Sequence, residues 1–106
     1  MVKEKDKLIK LLKKFKSDVN EKIKVDKLIL FGSRAKKKAK KDSDVDLLFV
    51  SNSFRGKKYF KRSPKLYLMW NYNYDVDIIC LTPAELSKKR KEIGIINQAL
   101  KEGIEI

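Results

Sequence analysis

Three short apolar runs limit the fold more than any other feature of the chain: "KLILF" at Lys27–Phe31, "DVDLLFV" at Asp44–Val50 and "YDVDIICL" at Tyr74–Leu81. Each has strand length and ends in turn residues: Gly32 after the first, Ser51-Asn52-Ser53 after the second, Thr82-Pro83 after the third. Dense apolar runs bounded in this way read as buried strands. The segments between them read as helices. Leu8, Ile9, Leu11, Leu12 and Phe15 recur at helical spacing with lysines on the opposite side, which predicts a helix over 4–20. A short helix is expected between Ser63 and Trp70, opened or closed by Pro64. In "TPAEL", Thr82 fits an N-cap, Pro83 the first helical position and Glu85 the third, so a capping box opens a helix that runs to about Lys91. A further helix is expected between Gly94 and Gly103, with "IEI" left as an edge strand. Alternating helices and strands make this an α/β chain: a small mixed sheet with helices packed on it, in one domain spanning 1–106.

Composition narrows the chemistry. There is no histidine, which excludes histidine catalysis and the usual zinc sites. The lone Cys80 sits in an apolar run and reads as a reduced, packed thiol. No stretch approaches the length of a membrane helix, and the first 25 residues lack a signal-peptide core, so a cytoplasmic location is expected. Lysine and arginine number 27 against 14 aspartates and glutamates, for a formal net charge of +13. Such an excess favours an anionic partner, though a solvated lysine-rich surface accounts for it equally well.

Against that background three aspartates fall in five positions in "DSDVD". Side chains alternate faces along a strand, so Asp44 and Asp46 are expected on one face, roughly 6–7 Å apart at the backbone. Two carboxylates that close repel, and a divalent cation removes the repulsion. On the third strand Asp77 faces the same way as Ile79 and Leu81, as does Asp75. If that strand lies beside the second, Asp77 completes a three-carboxylate cluster suited to two-metal phosphoryl transfer. Gly32 and Ser33 close the first strand, where glycine admits a phosphate to the backbone and serine donates to it. A helix opening at Arg34 would add its N-terminal donors, and Ser43 would orient the loop. Taken singly, Gly-Ser and Asp-x-Asp are weak signals. A calcium loop counted from Asp42 fails, because Leu47 and Ser53 stand where glycine and glutamate are needed. The P-loop pattern is absent.

The joint pattern is specific. "GSRAKKKAKKDSDVDLLFV", with eleven positions from Ser33 to Asp44 and a further aspartate in "VDII", resembles the signature of the DNA polymerase beta nucleotidyltransferase superfamily. Its minimal nucleotidyltransferase branch is the most similar. The resemblance implies a palm-like nucleotidyltransferase fold, with Gly32 and Ser33 binding phosphate and with Asp44, Asp46 and Asp77 as catalytic metal ligands. Asp77 fits better than Asp75, because the family's aspartate directly precedes the apolar end of its strand. Arg34 and Lys36 match positions that touch the nucleotide. Members often read Gly-Ser-Arg-Ala-Arg-Gly; here Lys36 keeps the charge and Lys37 replaces the last glycine. The resemblance further implies Mg²⁺, in a two-metal site, and ATP or another nucleoside triphosphate as substrate. AMP is then the group moved to an acceptor hydroxyl, which in this branch can belong to a HEPN toxin partner, making the chain an antitoxin. So short a chain has no room for an acceptor-binding domain, so a partner or a second copy must present the hydroxyl. The aromatic stretch "YFKRSPKLYLMWNYNY" is either that contact surface or plain core and loop. Two rival readings stand beside this one: a non-catalytic interaction module of the same fold, and a basic nucleic-acid-binding protein.

Overall fold

The computed structural model describes residues 4–35 and 44–106. Lys36, Lys37 and Ser43 lie outside the described residues.

The first helix, α1 (Glu4–Asn20), buries Leu8, Leu12, Phe15 and Val19, which stand at intervals of four, three and four. That spacing places all four on one stripe. The chain leaves α1 through two N–H groups that both reach the Val19 carbonyl, and Asn20 Oδ1 accepts from Val25 N at 3.0 Å. Strands β1 (Lys27–Phe31), β2 (Val45–Val50), β3 (Val76–Leu81) and β4 (Ile104–Glu105) form one mixed sheet in the order β3-β2-β1-β4. β1 runs antiparallel to β2 and β4, whereas β2 and β3 are parallel.

Both faces of the sheet are covered, so the strands are apolar runs rather than alternations. On one face Leu28, Leu30, Val45, Leu47, Phe49, Ile78 and Cys80 pack with the α1 stripe and with Leu66 of α2 (Pro64–Met69). On the other, Ile29, Phe31, Leu48, Val50 and Leu81 pack with Leu86 of α3 (Pro83–Lys89) and with Ile96 and Ala99 of α4 (Ile95–Glu102). Gly103 ends α4 where it crosses β1. A Cβ there would collide with the Ala99 carbonyl and come within 2.6 Å of Ile29 Cγ2, so this close crossing requires glycine.

Side chains cap the outer edge of β3. Tyr67 Oη accepts from Ile78 N at 2.9 Å, and Arg62 Nη1 donates to the Cys80 carbonyl at 3.3 Å. An edge strand satisfied in this way is closed to pairing with another chain. The second half of the aromatic stretch packs against the core, half-buried: Trp70 lies edge-on against Phe15 at 5.1 Å and donates to the Tyr74 carbonyl. Tyr59, Phe60 and Leu68 are exposed. Cys80 is buried and forms no disulfide, and burial pushes its thiol up to about 12, which fits a packing role. No helix among the described residues is long and apolar enough to cross a membrane.

The expected elements form where the sequence places them, with shifts at their ends. β2 starts at Val45, so Asp44 precedes the strand and does not sit within it. β3 starts at Val76, which likewise leaves Asp75 outside; its carbonyl accepts from Val45 N at 2.8 Å and joins the two strand entrances. The α3 helix stops at Lys89. In place of a helix opening at Arg34 there is a 3-10 turn over Gly32–Ala35, with Arg34 inside it.

Glu85 ties α3 to the rest of the chain. Thr82 Oγ1 accepts from Glu85 N at 3.1 Å while Glu85 Oε1 accepts from Thr82 N at 2.8 Å, which completes the capping box. Glu85 also holds the buried Arg62 through both terminal guanidinium nitrogens, at 2.5 and 3.2 Å. The bonds from Arg62 hold the Glu85 carboxyl down to about 2 against an ordinary value of 4.5. A depressed carboxyl adds stability that is complete above its unfolded-state value and lost as pH falls toward the folded one. The thermal midpoint of the wild type should therefore drop between about pH 4.5 and about pH 2. Glu85→Gln should melt lower at neutral pH and lose less over that acid range. Parallel melting curves for the two proteins across the range would refute the coupling.

Candidate active site

The entrances to β2 and β3 lie at one end of the sheet, beside the exit of β1. Register fixes what meets there. Asp46 pairs with Asp77 across the parallel strands, and Phe31 pairs with Asp46 across the antiparallel ones. Asp46, Leu48 and Val50 share a face with Asp77, Ile79 and Leu81, so both carboxylates point to the α3/α4 side, just beyond the helical cover. Gly32 and Ser33 follow Phe31 directly. A cleft of about 440 Å³ opens here, lined by Gly32, Ser33, Asp46 and Asp77 together with Phe31 and Ile79 from the sheet and with Gln98, Ala99 and Glu102 from α4.

Gly32 has φ +73°, in the left-handed region that side chains disfavour. It also stands against the Asp46 carboxylate, so that a Cβ at position 32 would occupy the place of Asp46 Oδ2. The turn that reverses the chain out of β1 favours glycine, and a side chain at position 32 would also push the Asp46 carboxylate aside.

Asp46 is partly buried, whereas Asp44 and Asp77 are exposed. Burial, then the charge of Asp77, then that of Asp44 raise the Asp46 carboxyl above its ordinary value. Asp46 therefore feels the charge of both other aspartates. Among the described residues no group of three is already arranged to hold a metal ion, and Asp44 is not among the residues lining the cleft. The donor set nevertheless suits a hard cation. It consists of carboxylate oxygens whose mutual repulsion a divalent ion would relieve, and a glycine leaves the space above them open. Arg34 sits differently from a residue that touches phosphate: it is buried, with its guanidinium carbon 5.2 Å from the Tyr74 ring centroid. It holds the turn against the loop that leads into β3.

The α4 wall escaped the sequence reading. Gln98, Ala99 and Glu102 reach the cleft only because Gly103 brings the end of α4 down onto β1. The available signal was the register of α4: with Ile96 and Ala99 turned to the core, Gln98 and Glu102, four apart, must flank that stripe.

A mixed sheet with paired carboxylates at its strand entrances, beside a Gly-Ser turn, is the architecture of a phosphoryl-transfer site. The family profile described as the nucleotidyltransferase domain matches residues 12–106. This chain belongs to that family and is a nucleotidyltransferase. It is 30% identical over 101 residues to a Methanocaldococcus jannaschii protein named as a candidate protein adenylyltransferase, covering 93% of this chain and 98% of the relative. The fold is similar to the crystal structure of a candidate nucleotidyltransferase from Sulfolobus solfataricus. That likeness has a TM-score of 0.69 at 24% identity and covers 95% of this chain and 80% of the other.

Gly32→Ala should be costly for both reasons given above. Expected is a loss of about 1–3 kcal/mol from the left-handed backbone and the displaced carboxylate, read as a fall in the urea midpoint with an unchanged slope. A midpoint within error of wild type would show that the turn has an alternative conformation.

Proposed function

We propose that this chain moves AMP from ATP to a hydroxyl on a protein acceptor, with Mg²⁺ held by Asp44, Asp46 and Asp77. The observation that carries the reading is the direct pairing of Asp46 with Asp77 at the mouth of the cleft that Gly32 and Ser33 also line. The protein acceptor is supported by the name of the M. jannaschii relative. A HEPN-domain partner is the first acceptor to try, as the resemblance to the minimal branch implies.

In this reading each residue has a task its position suits. Ser33 and the backbone N–H groups of the 3-10 turn bind the triphosphate, and Gly32 keeps that approach clear. Bound Mg²⁺ would neutralise the triphosphate and lower the pKa of the attacking hydroxyl. Asp46, pressed between two like charges, gains most from a cation. Asp77 is exposed and accepts the proton of the acceptor hydroxyl as its oxygen attacks the α-phosphorus. The bond from that phosphorus to the bridging oxygen breaks, and pyrophosphate leaves. Lys36 and Ser43 are assigned to the nucleotide by their place in the motif alone, and Arg34 is assigned to the shape of the turn.

Calorimetric titration with ATP, with and without Mg²⁺, tests the reading. Wild type should bind ATP at least about tenfold more tightly with Mg²⁺, and Asp46→Asn should abolish the difference. Equal affinities in the presence and absence of Mg²⁺, or an Asp46→Asn variant that keeps the difference, would contradict it. Label from α-³²P-ATP should then appear on the partner protein with wild type and be absent with Asp77→Asn. A protein that binds Mg-ATP yet never labels a partner would be an interaction module instead.

A further inference from the structure

The cleft has two chemically unlike sides. Gly32, Ser33, Asp46 and Asp77 make one, suited to phosphate and cation. Phe31, Ile79 and Ala99 make the other, an apolar shelf, with Gln98 and Glu102 beside it on α4. That second side has no cation among its described lining residues. Phe31 and Ala99 are buried and Ile79 is partly so, which gives an apolar floor. A floor of this kind edged by one neutral amide fits a planar ring with hydrogen-bonding groups on its rim. With the phosphates on the Gly-Ser turn, the part of a nucleoside triphosphate with that chemistry is the base.

Gln98 and Glu102 are neighbours on α4, and Gln98 Nε2 donates to Glu102 Oε2 at 3.5 Å. An ionised carboxylate only accepts, so it holds the NH₂ end of the amide and leaves Gln98 Oε1 as the acceptor for a ligand in the cleft. We propose that Gln98 reads the edge of the nucleobase, and that Glu102 orients it to select an amino group over an oxygen at purine position 6 or pyrimidine position 4, adenine over guanine and cytosine over uracil. The inference rests on the nucleotidyltransferase reading of the cleft and adds to it the residue that sets base preference. The Gln98 oxygen pairs with the amino group of adenine or cytosine, and it opposes the oxygen that guanine or uracil carries at the same place. Glu102 is a positioning residue, acting only through the direction of the amide. Gln98 is exposed, so replacing it leaves the core untouched.

The test needs no acceptor. Affinities of the full chain for ATP, GTP, CTP and UTP, each with saturating Mg²⁺, are measured by calorimetry for wild type, Gln98→Lys, Gln98→Ala and Glu102→Gln. Wild type should favour ATP over GTP and CTP over UTP by about tenfold. Gln98→Lys, a donor only, should reverse both ratios, and Gln98→Ala should bring them close to one. Glu102→Gln should flatten the ratios by freeing the amide to turn, with ATP affinity held within about threefold. Either wild-type ratio close to one, or ratios that ignore Gln98, would overturn the inference and leave the nucleotidyltransferase reading intact. If no triphosphate binds with Mg²⁺, that reading fails and the inference with it.

Discussion

Asp46 and Asp77 lie side by side because β2 and β3 run parallel in a register that pairs them. Two carboxylates at neighbouring positions of one sheet face are unfavourable in themselves, and the Asp77 charge adds to burial in raising the Asp46 carboxyl. The surrounding structure keeps the pair in place. Strand cores Leu47–Val50 and Ile78–Leu81 fix the register from inside the sheet, with side chains buried on both faces. A slip of one residue would turn Leu48 and Ile79 to the wrong side, so the acidic pair is held by the packing of its apolar neighbours.

The same register explains the shape of the cleft. α3 and α4 cover the face that carries Leu48, Val50 and Leu81 and stop short of the strand entrances. The sheet end stays open, with acid on β2 and β3 and glycine at the exit of β1. α4 adds the far wall because Gly103 lets it rest on Ile29 and the Leu30 carbonyl. Glycine acts twice in this small fold, at Gly32 to give room to a carboxylate and at Gly103 to give room to a helix end.

Much of this was legible in the sequence. The buried strands announced themselves because a sheet covered on both faces needs apolar residues at nearly every position, as in Leu28–Phe31. Thr82, Pro83 and Glu85 announced α3 because a capping box is local chemistry. That Asp77 would join Asp46 followed once the third strand was placed beside the second. Other features depend on contacts that no local pattern encodes. Asp44 falls before β2 because strand pairing begins only where Val45 meets Val76. Arg34 turns inward over Tyr74, forty residues away, and no spacing rule foretells that. Arg62 reads as one more surface cation in "YFKRSP", yet it is buried against Glu85 and the Cys80 carbonyl. Gln98 and Glu102 gain their place in the cleft from the way α4 packs.

The central claim is that the acidic pair and the Gly-Ser turn form a single cation–triphosphate site. Anomalous diffraction from crystals grown with Mn²⁺ and a non-hydrolysable ATP analogue tests this most directly. The account predicts a manganese peak in contact with Asp46 and Asp77, with the analogue's phosphates on Gly32 and Ser33. Manganese bound away from both aspartates, or phosphates seated elsewhere on the protein, would contradict it.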